Sequence, residues 1–472
     1  MNMPRVAANI IMLLLIWMVC APASSDLGIT ANKRYFEDDG EPVVLFGSGL
    51  WTIISDISID IEEHNRWYAE WGANTNRASL YSFFNAAADG KGLGPWRRTG
   101  PGLANDGRPK FDLSASDEAF WERTHTYFES CERNGIYVWL QIFGEPYVEA
   151  GEQRWHINPF NRDNNINALP GMPGGQDSGE EAFYDPDNEA LMRVQDALVL
   201  RLLDETAERY GIIVYEIGNE INSDSVSDKA AAWQQHWIDF FGTYALEHDV
   251  TLLLSNNTRR SLFKDGAHGF QVVNHNAFSG IRVKGNAPEP MAQSIRTAVE
   301  RDFAQFQRPI VNSRPASDPD RINYGDIASE AEGRCLYWSY FMSGGHVIGF
   351  RTTNESWKAG LKAELIIKHL RTFVERVPFS QMVPNADSVQ GEALSLAEPG
   401  GTHALYLPVG GAVTIDLSAA SGPLTAQWYD PRTGVWADGQ PVVPADSVVF
   451  SAPDSQDWAL LIRVETRNPE EK

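Results

Sequence analysis

The sequence predicts a (β/α)8 TIM barrel followed by an antiparallel β-sandwich, and three observations carry that expectation. Eight short apolar runs alternate with long amphipathic stretches through most of the chain, the signature of a parallel barrel. No glycine-rich phosphate loop follows the first run, which leaves an open doubly wound sheet without its usual mark. Near Pro378 the pattern changes to short alternating strands with frequent Gly and Pro turns and no helix.

Residues 1–25 read as a secretory leader. Arg5 is the only charge before the apolar run Ile10 to Cys20, and Ala21-Pro22-Ala23 offers a small-x-small cleavage site. The run is too short for a membrane span. Val19 stands where a lipid-anchor signal wants a small residue, which argues against an anchor at Cys20. The expected mature protein is secreted or periplasmic, cleaved near Ala23, with no membrane partner once the leader is removed.

The barrel is assigned to 26–377 and opens with a hairpin, Arg34 to Val43, that turns at Asp39-Gly40. The strand runs are Val43 to Gly47, Thr75 to Leu80, Tyr137 to Phe143, Val214 to Gly218, Thr251 to Leu254, Phe270 to Asn274, Pro309 to Ser313 and His346 to Phe350. Helical periodicity fills Ile61 to Trp71, Ala119 to Arg133, Glu189 to Tyr210, Ala230 to Glu247, Ala292 to Phe306, Ala331 to Met342 and Leu361 to Val377. Two connections, Tyr81 to Ser116 and Gly144 to Asp187, are unusually long. Both follow a strand, so both belong to the carboxyl face where barrels build their sites. Residues 378–472 hold the sandwich, with strands at Leu394 to Leu396, Ala404 to Leu407, Val413 to Leu417, Leu424 to Tyr429, Val448 to Ser451 and Trp458 to Val464.

Composition narrows the partners. The chain of 472 residues carries a net charge of −24, which argues against nucleic acid and anionic membrane surfaces. Cys131 and Cys335 lie in helical patterns among apolar residues and read as buried free thiols. No Gly-x-Ser-x-Gly elbow or dinucleotide fingerprint is present. No His, Cys or carboxylate spacing resembles a metal motif, so neither metal nor cofactor is expected. Asn161-Arg162-Asp163-Asn164-Asn165 lacks calcium-loop spacing and is expected near the cleft. Oligomeric state is not legible.

The chemistry concentrates in Val214-Tyr215-Glu216-Ile217-Gly218-Asn219-Glu220, a strand that ends on Asn-Glu at the carboxyl face. Glycoside cleavage needs an acid to protonate the leaving oxygen, and a neighbouring amide that binds a sugar hydroxyl helps. Glu220 and Asn219 supply both. Here the chain resembles the clan of (β/α)8 glycoside hydrolases with Asn-Glu on strand four. That resemblance implies Glu220 as acid/base. Trp71 to Arg77 looks like the clan's strand-two motif, which implies that Arg77 lies near the nucleophile. Lys110-Phe111-Asp112-Leu113 and Gly135-Ile136-Tyr137-Val138 are similar to apiosidase-like barrels. Ala404 to Pro408, Trp428 to Gly434 and Asp457 to Ile462 look like the small β-domain, labelled collagen-binding, that follows such barrels.

One position departs from the pattern. The clan's strand-seven nucleophile falls at Arg314, in Pro309-Ile310-Val311-Asn312-Ser313-Arg314-Pro315. A guanidinium stays protonated and cannot carry a glycosyl intermediate. Three readings follow. In the first, a second carboxylate (Glu145, Asp318, Glu332 or Glu355) serves as base or nucleophile, at roughly 6.5–9.5 Å from the acid for inversion and about 5 Å for retention. In the second, the protein is a polysaccharide lyase, with Arg314 neutralising a uronate and His275, Tyr147 or Tyr324 as base. In the third, it is a glycan-binding barrel that lost catalysis.

Of the 39 basic residues, 29 are Arg. Arg77, Arg97, Arg98, Arg154, Arg162, Arg259, Arg260, Arg314 and Arg351 fall at strand ends or in active-face loops. They predict a pocket for a carboxylated or sulfated glycan, unless they pair with neighbouring acids. His156, His275 and His346 are also expected near that face, with His275 touching ligand. Trp51, Trp96, Trp155, Tyr184 and Trp357 are candidate stacking platforms, Trp155 foremost.

Overall fold

A computed structural model describes residues 26–82, 92–144, 148–152, 154–221, 227–258, 269–274, 288–313, 329–351, 362–385 and 389–464. The expected leader lies outside the described residues. Eight parallel strands close into a barrel: β1 (Phe46–Gly49), β2 (Thr75–Ser79), β3 (Tyr137–Gly144), β4 (Ile213–Ile221), β5 (Leu253–Thr258), β6 (Val272–Asn274), β7 (Ile310–Asn312) and β8 (His346–Arg351). Each pairs with its successor, and β8 returns to β1 with Val347 opposite Phe46.

The first strand enters three residues later than the sequence suggests. Val43 is claimed by the N-terminal sheet, where it pairs with Phe36. That sheet has three strands, Leu27–Ile29, Phe36–Asp38 and Glu41–Val43, and turns at Asp39 (φ 51°) and Gly40 (φ 82°), the left-handed pair a two-residue hairpin requires. Inside the barrel β1 and β2 pack tightly. A Cβ on Gly47 would lie 1.7 Å from the Thr75 carbonyl oxygen, so only glycine fits there.

The helices of the α/β repeat are α1 (Ile61–Glu70), α2 (Glu118–Arg133), α3 (Glu189–Thr206), α4 (Ser227–His248), α5 (Pro288–Phe306), α6 (Glu330–Met342) and α7 (Lys362–Val374), and a one-turn helix, Glu180–Phe183, lies in the second long connection. Side chains of Asp60, Asp117, Asn188 and Ser329 cap α1, α2, α3 and α6 by accepting a first-turn N–H. Cys131 and Cys335 are free and buried, as expected. Among the described residues no helix is long and apolar enough to cross a membrane.

The two long connections are ordered where described. The first contains an antiparallel pair, Trp96–Leu103 with Pro109–Ser116. The second is tied by asparagines whose amides bond its own carbonyls. Asn161 reaches the carbonyls of Trp155 and Gly175, and Asn164 those of His156 and Asn158. Asn165 reaches Pro159 and Asn161. The loops also join each other: Phe111 N–H donates to the Asn164 carbonyl at 2.8 Å, and Leu113 N–H to Asn167 Oδ1 at 2.7 Å. The Asn161–Asn165 run, expected to line the cleft, is a buried scaffold at its three asparagines.

After α7 the chain forms two antiparallel sheets. The larger runs Val383–Pro384, Leu394–Ala397, His403–Leu407, Trp458–Val464, Leu424–Asp430 and Val435–Trp436, with Gln440–Val442 paired to Leu424–Asp430. The smaller joins Val389–Gln390, Ala412–Ile415 and Val448–Ser451. Alternation divides the central strands between two cores. Leu405, Leu407, Leu460 and Ile462 face the small sheet, whereas Ala404, Tyr406, Ala459 and Leu461 join the core shared with the barrel.

That shared core centres on α6, buried from Gly333 to Met342. A helix apolar all round must be covered on every side, and the β-domain covers the side away from the barrel. Trp338 stacks on Tyr406 with centroids 5.3 Å apart, and Phe373 stacks on Trp436 at 5.4 Å. Arg334 forks onto buried Asp457, with Nε–Oδ2 and Nη2–Oδ1 both at 2.9 Å. Asp457→Ala should strand the guanidinium and cost about 3–5 kcal/mol, read by urea unfolding. A loss below about 1 kcal/mol would show that the pair does not hold the domains together.

His346 stands at the amino end of β8, the face opposite the expected site. Its Nδ1 accepts the Leu45 N–H at 3.0 Å and its Nε2 donates to the Arg34 carbonyl at 3.0 Å, so it is neutral. Burial lowers its pKa to about 4, and burial does the same to His64. The unfolded chain therefore binds more protons below the ordinary histidine pKa of about 6.5. Stability should fall as pH drops from about 6.5 toward 4 and level off below, by up to roughly 3 kcal/mol per histidine. Guanidinium unfolding of wild type and His346→Gln across that range measures it; parallel pH profiles for the two proteins would remove His346 as a source.

Candidate active site

At the carboxyl half of the barrel, charged and polar side chains from successive strands converge. Glu216 on β4 is fully buried in an otherwise apolar run. Its Oε1 accepts from Arg77 Nη2 on β2 at 2.5 Å. Its Oε2 accepts from the Trp139 indole on β3 at 2.5 Å and from Asn274 Nδ2 on β6 at 2.8 Å. Asn274 also reaches Ser313 Oγ, just past β7, at 2.6 Å, and Arg77 Nη1 meets the Ser313 carbonyl at 3.4 Å. A buried carboxylate is tolerable only with such partners.

Asn219 joins the same network. Three residues after Glu216, it should face the other side of a regular strand. The β4–β5 register shifts between Ser255 opposite Glu216 and Asn257 opposite Asn219, a bulge that turns both side chains inward. The Asn219 Oδ1 accepts from Arg77 Nη2 at 2.5 Å and from Asn257 Nδ2 at 2.6 Å. With its carbonyl doubly occupied, Asn219 has its NH2 end to offer to a ligand, as a hydrogen-bond donor.

Glu220 follows on β4, so its backbone stands at the carboxyl mouth. Its side chain lies outside the described residues, as do Glu145, Asp318, Glu355, His275, Arg314, Tyr147, Tyr324 and Trp357. Glu332 is half-buried in the first turn of α6. Among the described residues no group of three His, Cys, Asp or Glu could hold a metal ion.

Several expectations change. Arg77 is buried and neutralised by Glu216, so it supports the site from within the barrel. Arg98 pairs with Asp106 and Arg154 with Glu149, which removes both from a free basic pocket. Arg162 is exposed, and the side chains of Arg259, Arg260 and Arg351 lie outside the described residues. Trp155 is fully buried, its indole against Gly179, where a Cβ would lie 2.4 Å from the ring. It packs the loop and offers no face to a sugar. Trp96 and Tyr184 are buried likewise; Trp51, half-buried beyond β1, keeps exposed surface. His156 is half-buried, with Nδ1 3.4 Å from the Gly175 carbonyl.

Glu216, Trp139, Asn257, Asn274 and Ser313 were not singled out by sequence. The available signal was a carboxylate in the middle of a core strand, since buried acids are rarely present without a partner.

Two family patterns match the chain. Residues 377–463 match a family described as "Putative collagen-binding domain of a collagenase", and residues 93–263 match a domain of unknown function, DUF6298. No curated protein matches the sequence. A glycoside hydrolase family 5 structure from Bacteroides vulgatus ATCC 8482 superposes with a TM-score of 0.61 at 14% identity, over 93% of this chain and 93% of its own. A second solved glycoside hydrolase gives a TM-score of 0.60 at 15% identity, over 94% of this chain and 98% of its own. The chain thus has the barrel-plus-β-domain architecture of solved glycoside hydrolases.

Glu216→Gln should leave the Arg77 charge unpaired inside the barrel and destabilise the fold by about 3–5 kcal/mol in urea unfolding. Pairing it with Arg77→Met should recover part of that loss; no recovery in the double variant would mean that the two residues do not act as a pair.

Proposed function

We propose that this protein is an exported glycoside hydrolase acting on a polysaccharide or oligosaccharide, with Glu220 as its general acid. The observation that carries the reading is Asn219, whose carbonyl is held by Arg77 and Asn257 so that its NH2 is left as a donor beside Glu220 at the barrel mouth. A donor there suits a sugar hydroxyl oxygen, and the adjacent carboxylic acid suits the leaving glycosidic oxygen. The shared architecture with solved glycoside hydrolases supports the same reaction class.

Arg314 sets the mechanism apart from the usual double displacement. Without a strand-seven carboxylate, Glu220 protonates the leaving oxygen while Glu145, Asp318 or Glu355 activates the attacking water. The replaced nucleophile equally favours a second reading, a barrel that binds glycans without turning them over.

Wild type, Glu220→Gln and Arg314→Glu should be assayed together on neutral and acidic polysaccharides. Glu220→Gln should lower kcat by about 10²–10⁴-fold with KM little changed. Undiminished hydrolysis in that variant would remove Glu220 as the acid. Unsaturated uronate products, seen by their ultraviolet absorbance, would move the protein to the lyases, and binding without turnover on every substrate would make it a binding barrel.

A further inference from the structure

Beneath the hairpin after β2 lies a cavity of about 460 Å³, within the size range of small-molecule sites. Arg97, Arg98, Arg108 and Phe111 line it from the hairpin, and Asp117 and Glu118 from the first turn of α2. Ser82, three residues beyond β2, also borders it, which puts the cavity on the carboxyl side of the barrel.

The charges around it are unevenly satisfied. Arg98 is committed: its guanidinium lies 3.8 Å over the Phe111 ring and forks onto Asp106 at 3.1 and 2.5 Å. Both acids of the α2 turn are also engaged. Asp117 accepts the Ala119 N–H at 3.1 Å, and Glu118 accepts from both terminal nitrogens of Arg201 at 2.8 and 2.7 Å. Asp112 stands opposite Arg97 in the hairpin and feels its charge, but it makes no direct ion pair with it: its Oδ1 takes the Ser114 N–H and hydroxyl at 3.0 and 2.6 Å. Arg97 and Arg108 form no ion pair among the described residues. In a chain of net charge −24, this puts two guanidiniums without a direct ion pair on one wall of a cavity, with Asp112 the acid opposite Arg97.

We infer that this cavity binds the anionic group of an acidic saccharide, through Arg97 and Arg108. The cavity is larger than one inorganic anion needs, so the ligand has a body as well as a charge. Trp96 and Phe111 are only 6% and 3% exposed, and Arg98 covers the Phe111 face, so no ring is open to stack a nucleobase. The polar groups left on the lining are Ser82 and the guanidiniums of Arg97 and Arg108, which suit a hydroxyl-rich carboxylate or sulfate. The inference rests on the glycan-active reading and deepens it: the substrate bears uronate or sulfate groups.

Calorimetric titration of the full chain tests this with four probes: tetragalacturonate, its methyl ester, a sulfated galactan tetrasaccharide and inorganic sulfate. At least one acidic tetrasaccharide should bind wild type about 10–100-fold more tightly than the ester. Arg97→Gln/Arg108→Gln, with an unchanged melting temperature, should lose that margin; Glu220→Gln should keep it. Equal binding of the neutral ester, no loss in the double variant, or inorganic sulfate binding as tightly as both saccharides would each overturn the inference. Turnover is read separately, so an inactive barrel that binds acidic saccharides refutes the hydrolase reading alone. An active enzyme without the margin refutes the cavity alone.

Discussion

The ion pair between Arg77 and Glu216 is the constraint around which the barrel mouth is arranged. Neither charge can be buried alone, and each draws further groups: Trp139 and Asn274 onto the carboxylate, Asn219 and Ser313 onto the guanidinium. Five strands are thereby fixed relative to one another by side chains as well as by their ladders: β2, β3, β4, β6 and, through Asn257, β5. The network selects one orientation of the Asn219 amide. The direction in which its NH2 points is a consequence of the buried charge to which its carbonyl is bonded.

The β-domain acts at a different level. Its face toward the barrel is spent on α6, through Trp338 against Tyr406 and Arg334 against Asp457, while its other core lies between its own two sheets. The connection from β7 leads into α6 and the chain then returns as β8, so the domain braces the segment bearing strands seven and eight. Whatever the collagen-binding label describes in its relatives, the residues that face α6 here are already occupied.

Much of this architecture was legible because periodicity reports burial. All eight barrel strands and seven of the eight described α-helices overlap the runs that alternation and 3.6-residue repeats pick out, the first strand shifted by three residues, and six of the ten C-terminal strands follow period two. The misses have specific causes. Val43 is apolar whether it enters the barrel or the N-terminal sheet. Trp155, Trp96 and Tyr184 are large aromatics in loops, and composition alone does not tell packing from stacking. His346 is the first residue of its strand run, so chain direction alone already puts it at the amino end, opposite the site. Glu216 was visible in the motif, but its role depends on partners from β2, β3 and β6, which no local pattern reveals. The bulge that turns Asn219 inward is likewise a property of β5 alignment and leaves no mark in β4.

The asparagine-tied loops bear on how such a protein can diverge. The hairpin at 96–116 and the loop at 155–168 share backbone bonds, with Phe111 laddered to Asn165 and Asn105 anchored on Asn164 and His156. Inserting a foreign version of either would leave buried amides facing the wrong carbonyls. The two loops therefore form one structural unit, and an exchange that respects element boundaries but splits this pair breaks it. Changes that keep these bonds are point substitutions within the unit or an exchange of the whole block.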